Sequence, residues 1–189
     1  KQTGRNYQGN NTNYSRGNEG WIDGLLQGHS RKVSWEVQYK YEIVARTVLH
    51  FPQALTDQIQ LKTGDGQEYI FDTVRKKWLV CTPEEWVRQH AVQYLIALGY
   101  SVHHLQIESG LKTGFNSKRS DIIANIGGKP EILVECKAPE VKLSQETFNQ
   151  AFNYNNTIGA PIIWLTNGLQ NLYWDCTAGQ QLQQLPCCD

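Results

Sequence analysis

The sequence predicts an α/β protein, in which helices and strands alternate along one chain. Two segments carry helix signals, near residues 82–99 and 144–156. A hairpin of two apolar arms lies between them at 121–134, and a continuous apolar strand follows at 160–166. Helices that alternate with strands bury their apolar faces against a sheet, which favours a layered architecture. The 189 residues are enough for one domain with a real core.

The overall charge excludes one class of protein, the binder that holds nucleic acid through a general excess of basic residues. Eighteen Lys and Arg balance eighteen Asp and Glu, so the formal net charge is +0, and only a local basic patch stays open. No apolar run approaches the roughly 18 residues that a membrane span needs, and we expect no membrane partner. The five cysteines contain no C-x-x-C pair, which predicts free thiols in a reducing, cytoplasmic protein.

The N-terminal part is expected to lie outside the globular domain. Residues 1–20 are rich in Asn, Gly, Gln, Tyr, Ser and Arg without periodicity, and we predict a flexible polar tail over 1–32. From Val33 to Ile43 apolar and polar residues alternate, which is typical of a half-buried antiparallel strand. We therefore assign 33–50 to an aromatic β-strand or arm, whose large aromatics would also suit a dimer interface.

A short hairpin and the first helix come next. Glu68–Asp72 and Lys77–Val80 are the two arms of the hairpin. Thr82 is suited to be the N-cap of the helix, and Glu85, three residues later, completes a capping box. Gly99 is expected to end the helix. Glu85 has two open roles, as this cap partner and as a first-turn acid beside a neighbouring site.

A strand and a basic loop separate this helix from the central hairpin. Ser101–Ile107 is predicted to be a strand, and the polar loop that follows carries Lys112, Lys118 and Arg119. These cations precede Asp121, where they could position a phosphate without reading bases. The alternative is an ordinary solvated loop.

The central hairpin gathers charged side chains at its open end. Gly127-Gly128 separates the two apolar arms, as in a β-hairpin. If the loop has an odd number of residues centred on Gly128, Asp121 falls opposite Glu135, with Cβ atoms roughly 4.5–5.5 Å apart. Lys137 shares the face of Glu135, because strand side chains alternate. Two carboxylates and an ammonium would then meet at one place.

This arrangement suits phosphodiester chemistry. Opposed carboxylates repel, and a divalent cation between them would remove that cost. Mg²⁺ binds one or two carboxylates and a phosphate while it keeps several waters. Lys137 could orient a water or stabilise charge on a phosphoryl group. The alternative is an ordinary Glu–Lys pair on a solvated face, with Asp121 only beginning a strand.

The last third of the chain predicts a second helix and two further strands. Ser144 caps a helix from Gln145 to about Asn156, and Gln150 and Tyr154 lie on one face of it. The alternative interpretation of Gln150 is an ordinary surface amide. Residues 160–166 form a strand buried on both faces, Asn167-Gly168 turns into 172–174, and 177–189 is expected to be a loose C-terminal tail.

Several of these motifs resemble the PD-(D/E)XK nuclease superfamily. They are Ser120-Asp121, Glu135-Cys136-Lys137 and Gln150-x-x-x-Tyr154. More narrowly, residues 69–78, 82–90, 118–121, 134–139 and 165–170 look like stand-alone domains similar to the N-terminal nuclease domain of type I restriction enzyme R subunits. The resemblance implies a restriction-endonuclease-like core over 51–176, built as helix, three-stranded sheet, helix and strand.

The resemblance also implies an activity, the Mg²⁺-dependent hydrolysis of DNA phosphodiester bonds in restriction, defence or DNA processing, with Mn²⁺ as a substitute metal. By position, Asp121 and Glu135 would hold the metal and Lys137 would assist the attacking water. Glu85 would be the first-helix acid, with Glu84 as the alternative one position earlier. The residues that would support the site or touch substrate are Gln150 and Tyr154. Ser120 stands where the superfamily name has proline.

Other functions stay open. A helicase motor would need a G-x-x-x-x-G-K-[ST] loop, which the sequence lacks. One alternative is a non-catalytic module of the same fold that binds nucleic acid or a restriction-system partner. Another is an assembly protein that oligomerises through 33–43. The expected partners are DNA, with RNA still open, and either a second copy of the chain or a restriction-system subunit.

Overall fold

A computed structural model describes residues 47–107 and 120–188 of the chain. The predictions for the polar tail, for the aromatic strand at 33–43 and for the three loop cations Lys112, Lys118 and Arg119 therefore lie outside the described residues. Residues 47–50, at the end of the predicted arm, contain no strand. Leu49 is nevertheless buried in the main core, and the His50 N–H donates to the Gly168 carbonyl across 2.6 Å.

The described residues form the mixed α/β structure that the sequence predicts. The helices are α1 (Gln53–Thr56), α2 (Pro83–Ala97) and α3 (Gln145–Ile158), with a short 3₁₀ helix at Val102–His104. The strands are β1 (Leu61–Gly64), β2 (Gln67–Asp72), β3 (Lys77–Val80), β4 (Leu105–Ile107), β5 (Ile122–Ile126), β6 (Lys129–Cys136), β7 (Ile162–Thr166), β8 (Asn171–Asp175) and β9 (Gln180–Leu182).

These strands form two sheets. Strands β1, β2 and β3 make an antiparallel sheet, and β4 to β9 make a six-stranded sheet in sequence order. Only β6 and β7 of the larger sheet pair in parallel. A parallel pair needs a crossover connection, and α3 supplies it. The buried strand predicted at 160–166 is β7, all five residues of which are buried.

Each face of the larger sheet carries a helix. Helix α2 shares one hydrophobic core with Ile122, Ile132 and Val134. Helix α3 contributes Ala151 to a second core, which contains Leu133 of the alternate face of β6. Strand side chains alternate between faces, so the two cores lie on opposite sides of one sheet. This layered arrangement brings the N-terminal turns of α2 to the ends of β5 and β6.

The N-terminus of α2 has the N-cap and the first-position proline that its sequence predicts, but the Glu85 side chain does not complete the capping box. The Thr82 hydroxyl accepts a hydrogen bond from the Glu85 N–H at 3.1 Å, and Pro83 occupies the first helical position. The helix ends at Ala97, two residues before Gly99, whose φ of 97° is left-handed. A Cβ on Gly99 would stand 2.8 Å from the Cys188 carbonyl oxygen, so both conformation and space favour glycine here.

The central hairpin reaches the expected register by a different route. The loop is not odd-numbered: Ile126 pairs with Lys129 across the two-residue turn Gly127-Gly128. Both glycines have positive φ, 57° and 78°, as a primed two-residue turn requires. The pairing then shifts by one residue between Ala124 and Asn125.

This shift is a β-bulge, which inserts one extra residue into a strand. Asn125 pairs with Pro130 while Ala124 pairs with Ile132, so Glu131 is the extra residue. Ile122 consequently pairs with Val134. Continued by one residue, this register would set Asp121 opposite Glu135, and the Cys136 N–H, one residue beyond Glu135, bonds to Asp121. Proline cannot donate to the ladder, and a bulge is one of the few places where a strand accepts it.

Two expectations for other segments are corrected. The predicted strand over Ser101–Ile107 is a strand only in its last three residues, because the Ser101 hydroxyl accepts from the His103 N–H and begins a 3₁₀ turn. The C-terminal segment predicted to be loose is ordered through residue 188. Its strand β9 pairs with β8, Leu185 is buried, and the Cys188 N–H donates to the Leu98 carbonyl at 2.8 Å.

Helix α3 extends two residues beyond its predicted end, to Ile158. Its N-cap is Ser144, as expected, and its hydroxyl accepts from the Thr147 N–H at 3.2 Å. Gly159 ends the helix with a φ of 76°. None of the helices in the described part of the chain is both long enough and apolar enough to cross a membrane.

Candidate active site

Asp121 is the best-anchored of the predicted site residues. It immediately precedes β5, and only 9 % of its surface is exposed. The backbone N–H of Cys136, at the end of β6, donates to its Oδ2 across 2.7 Å. A carboxylate held by a backbone donor on the neighbouring strand cannot turn without breaking that bond. The other oxygen, Oδ1, is therefore held toward α2.

Glu135 and Lys137 form a pair beside it. Lys137 Nζ lies 2.6 Å from Glu135 Oε1, and the two side chains are only 26 % and 22 % exposed. The Lys137 N–H donates to the Thr166 carbonyl at 2.8 Å, so the end of β6 stays attached to β7. Among the described residues, no hydrogen-bond donor contacts Glu135 Oε2.

The pKa values of Glu135 and Lys137 are both raised in their partly buried, charged surroundings. Burial raises the pKa of Glu135, and the nearby Asp121 raises it further, against the opposing effect of Lys137. For Lys137 burial lowers the pKa, but the hydrogen bond and charge of Glu135 outweigh it and the net pKa is raised. Lys137 is therefore a protonated ammonium at neutral pH.

Arg88 lies at the centre of the site, although the sequence analysis did not select it. Its Nη1 is 2.6 Å from Glu85 Oε2. Its Nη2 is 2.6 Å from Asp121 Oδ1 and 3.1 Å from Glu84 Oε1. The residue is buried. Burial lowers the pKa of the guanidinium, but Asp121 and Glu85 outweigh this and leave the pKa above its usual value.

A sequence signal for Arg88 exists. It follows Glu84 by four residues and Glu85 by three, the spacings at which helical side chains meet. An Asp or Glu at those spacings from an arginine forms an ion pair on many ordinary helix surfaces, so the spacing alone does not indicate a site. What distinguishes Arg88 is its third partner, Asp121, which is 33 positions away in sequence.

The two glutamates of α2 differ in their surroundings. Glu85 is buried and accepts from Arg88 and, at 2.9 Å, from Gln89 Nε2. Its side chain is not needed to close the capping box, because the Thr82 N–H already donates to the Val80 carbonyl at 2.9 Å. The Glu84 side chain is 44 % exposed. Burial raises the pKa of Glu84, and Asp121 raises it further, which places Glu84 within the field of the site.

Gln150 and Tyr154 are not joined to these residues by any contact that the structure describes. Gln150 is exposed on α3, where its Nε2 lies 3.4 Å from Glu146 Oε1 of the same helix. Tyr154 is partly buried and packs against the second core. Their predicted roles therefore stay predictions. Cys136 points into the main core, and burial raises its pKa well above the ordinary value, so its thiol is neutral.

The donor set can be tested against a divalent cation. No group of three or more His, Cys, Asp or Glu side chains suited to hold a metal ion occurs in the ranges 47–107 and 120–188. Two carboxylates, Asp121 and Glu135, are nevertheless what Mg²⁺ takes from a protein when waters and a phosphate supply its remaining ligands. Each carboxylate oxygen also has a second lone pair beyond the bonds already made.

The charge balance supports the same fit. Among the described residues, five carboxylates (Asp72, Glu84, Glu85, Asp121 and Glu135) contact three cations, Arg75, Arg88 and Lys137. When all of these groups are ionised, the carboxylates outnumber the cations, and Asp121 adds to the effect of burial in raising the pKa values of Glu84 and Glu135. The residues present therefore fit a hard divalent cation.

Comparison with known proteins gives three findings. A family model described as type I restriction enzyme R protein N terminus (HSDR_N) matches residues 83–187, more than half of the chain. Among solved structures, the chain is similar to a fragment structure assigned to an HsdR subunit of a type I restriction enzyme from Vibrio vulnificus YJ016. The identity is 22 %, the match covers 51 % of this chain and 22 % of that chain, and the TM-score is 0.40. No curated protein matches.

Proposed function

We propose, since this chain belongs to the family of type I restriction enzyme R protein N termini, that it is a divalent-metal-dependent nuclease that hydrolyses DNA in a restriction system. The observation that carries the proposal is the register of the central hairpin: Ile122 pairs with Val134, Asp121 and Glu135 are the next residues, and Lys137 bonds to Glu135. The order of α2, β4 to β6, α3 and β7 supports a PD-(D/E)XK assignment, because it is the helix, three-stranded sheet, helix and strand expected of that core.

In this proposal Asp121 and Glu135 hold Mg²⁺, or Mn²⁺ as a substitute. When bound, the metal would lower the pKa of a coordinated water and neutralise charge at phosphorus. The protein contributes orientation: Cys136 N–H fixes Asp121 through Oδ2, and Lys137 fixes Glu135 through Oε1. Both ligands are thereby held before substrate arrives, which removes a cost of ordering them during the reaction.

Lys137 is proposed to position the attacking water and to stabilise negative charge on the phosphoryl oxygens. Its raised pKa keeps it protonated, so it can donate hydrogen bonds but is a poor proton acceptor. Its ammonium can move between Glu135 and a phosphate because a lysine has a flexible stem and a compact charge. General acid–base help would then come from another group or from solvent.

The remaining roles are proposed more narrowly. Glu85, with Glu84 beside it, would hold Arg88 against the site. Gln150 and Tyr154 would contact substrate only if the nucleic acid reaches α3. The loop cations Lys112, Lys118 and Arg119 would contact phosphates near Asp121, as their sequence position suggests. DNA is the proposed substrate, and a restriction-system subunit or a second copy of the chain in the cytoplasm is the proposed partner.

A non-catalytic DNA-binding or partner-binding module is the second candidate. It is favoured by one observation, the bond between Arg88 Nη2 and Asp121 Oδ1, since a carboxylate already neutralised by a guanidinium does not require a metal. Such a protein would bind DNA equally with and without Mg²⁺ and would cut none.

The deciding experiment measures cleavage of linear, circular and single-stranded DNA with Mg²⁺, with Mn²⁺ and with a chelator. We expect cleavage by the wild type that depends on the metal, none by Asp121→Ala, and cleavage slowed by orders of magnitude in Lys137→Ala. Lys129→Ala is the matched control, since Lys129 is exposed at the opposite end of β6. Normal cleavage by either site variant would refute the assignment. DNA binding without cleavage in all conditions would favour the second candidate.

A further inference from the structure

The unusual feature of the site is that one buried guanidinium contacts three carboxylates among the described residues. Arg88 uses Nη1 for Glu85 and Nη2 for both Asp121 and Glu84. The contact with Asp121 is as short as that with Glu85, 2.6 Å in each case. Charge-assisted bonds of this length are the strong class of hydrogen bond. Arg88 therefore forms a strong ion pair with Asp121, the carboxylate that the nuclease proposal needs as a metal ligand.

We propose that Arg88 is a resident counter-ion of the metal-free site, which releases Asp121 when a divalent cation binds. This inference rests on the proposed function, because it concerns the same carboxylates. It adds a residue and a regulatory property that neither the family nor the predicted motif supplies. Metal affinity would be set by competition with the protein's own arginine.

The geometry of Asp121 makes this competition direct. Its Oδ2 is occupied by the Cys136 backbone N–H, and that donor belongs to β6 and does not move independently of the sheet. Its Oδ1 is the oxygen that Arg88 contacts. Each oxygen keeps a second lone pair, but a metal ion on Asp121 would lie close to the guanidinium, and two cations close together on one carboxylate repel each other.

Arg88 also keeps two carboxylate partners, Glu84 and Glu85, after it releases Asp121. Its Nη1 is anchored by the buried Glu85, and its Nη2 already shares the partly exposed Glu84. A small rotation of the guanidinium would exchange the Asp121 bond for a closer bond to Glu84. The charge of Arg88 would stay paired throughout, which matters because a buried unpaired charge is strongly destabilising.

The alternative is that Arg88 is a fixed structural support that positions Asp121 for the metal. The two ideas predict opposite effects of removing the guanidinium. If Arg88 competes with the metal, its removal tightens metal binding, since one competitor and one positive charge are gone. If Arg88 positions Asp121, its removal weakens metal binding or leaves it unchanged.

The experiment is a Mn²⁺ titration of the full chain by calorimetry, with free Mn²⁺ counted in parallel by electron paramagnetic resonance. We compare wild type, Arg88→Gln, Arg88→Lys and Asp121→Asn, without DNA. We expect Arg88→Gln to bind Mn²⁺ at least about tenfold more tightly than wild type, a coupling of ordinary size. Arg88→Lys keeps the positive charge but cannot use two nitrogens to contact the carboxylates, so its Mn²⁺ affinity should lie between those of the wild type and Arg88→Gln. Asp121→Asn should not bind.

The outcomes separate this inference from the proposed function. Equal or weaker Mn²⁺ binding by folded Arg88→Gln, with binding still lost in Asp121→Asn, overturns the counter-ion role and leaves the nuclease proposal standing. If no variant and no wild-type sample binds Mn²⁺, the metal site itself is wrong and both proposals fail.

A second measurement on the wild type covers the case in which Arg88→Gln does not fold. Protein labelled with ¹⁵N-arginine is titrated with diamagnetic Mg²⁺, and the Arg88 side-chain signal is assigned by its loss in Arg88→Lys. If Arg88 releases Asp121, this signal should show a large, saturable shift. The shift at Arg75 should be smaller, because its short contact is with Asp72 and its contact with Glu85 is longer, at 3.7 Å. An Arg88 signal that does not move while Mg²⁺ binds would overturn the inference.

Discussion

The Cys136 backbone N–H donates to Asp121 Oδ2 across 2.7 Å and thereby joins the two strands that carry the site. The donor, Cys136, is the last residue of β6, and the acceptor, Asp121, stands just before β5. The bond fixes the rotamer of Asp121 and directs its second oxygen to Arg88 on α2. Three separate elements are thus tied together through one carboxylate.

Asp121→Asn should separate charge from shape. The amide oxygen can still accept the Cys136 N–H, so we expect a folded protein, whereas the loss of negative charge removes a preferred Mg²⁺ ligand. Calorimetry should show loss of Mn²⁺ and Mg²⁺ binding. Asp57→Asn is the matched control, since Asp57 is an exposed aspartate next to α1, and it should bind as the wild type does. Retained binding in Asp121→Asn would remove Asp121 from the ligand set.

Lys137→Ala should affect the chemical step more than metal binding. The substitution removes the ammonium that contacts Glu135 but leaves both carboxylates in place. Positioned proton donors and charge stabilisers contribute roughly 10²- to 10⁴-fold to rate, and we expect kcat to fall by that order. Single-turnover cleavage at saturating metal measures it. An unchanged rate at saturating metal would exclude Lys137 from the chemical step and would refute the assignment.

The raised pKa of Glu135 should make the stability of the fold depend on pH. Its pKa in the folded protein is raised above the ordinary 4.5, chiefly by burial and then by Asp121. The folded state therefore binds this proton more tightly than the unfolded state. The resulting stabilisation is complete below about pH 4.5 and is lost as the pH rises through the folded-state pKa.

Urea unfolding of metal-free wild type and Glu135→Gln between about pH 4 and pH 8 measures this effect. The glutamine variant has no proton to lose, so its stability relative to wild type should increase as the pH rises. Saturating Mg²⁺ should reduce or reverse the difference, since the metal favours the ionised carboxylate of the wild type. A pH-independent difference would mean that Glu135 is not desolvated by the fold.

The local part of the site could be predicted from sequence, whereas its long-range part could not. Asp121, Glu135 and Lys137 come together through strand alternation, a two-residue glycine turn and the bulge at Glu131. The alternation and the glycine turn can be recognised in a short stretch of sequence, whereas the bulge was not predicted. The spacing of Arg88 from Glu84 and Glu85 also predicts their contacts on a helix. Its contact with Asp121 depends on how α2 crosses the sheet, and no local pattern encodes that crossing.

The C-terminus illustrates the same limit in the fold. Gln180–Leu182 has no apolar alternation, so nothing in its composition indicates a strand. It becomes one because β8 offers an unpaired edge, a property of distant residues. Its burial is also tertiary: Leu185 enters the main core, and Cys188 pairs with the end of α2.

Leu185→Ala tests whether this segment stabilises the domain. Leu185 is only 2 % exposed, and truncation of a buried leucine costs about 2–5 kcal/mol. Urea unfolding should report a loss of this size, with Gln184→Ala, at a neighbouring exposed position, close to wild type. A loss below about 0.5 kcal/mol, the usual range for surface changes, would restore the picture of a loose tail.

Deletion of single residues from β6 tests the register on which the site depends. Glu131 is the extra residue of the bulge, so its removal joins Pro130 to Ile132 and leaves the pairs Ala124–Ile132 and Ile122–Val134 unchanged. We expect the deletion variant to fold and to bind Mn²⁺ within a few-fold of wild type. The raised twist of a bulge would be lost, but the residue facing Asp121 would still be Glu135.

Deletion of Leu133 is the matched comparison, since it shortens the same strand by one residue beyond the bulge. Val134 would then face Ile123, and Glu135 would be drawn opposite the buried Ile122, because a one-residue slip turns every later side chain to the other face. Mn²⁺ binding should disappear and stability should fall. Equal metal binding by the two deletion variants would mean that the pairing of Asp121 with Glu135 does not create the site.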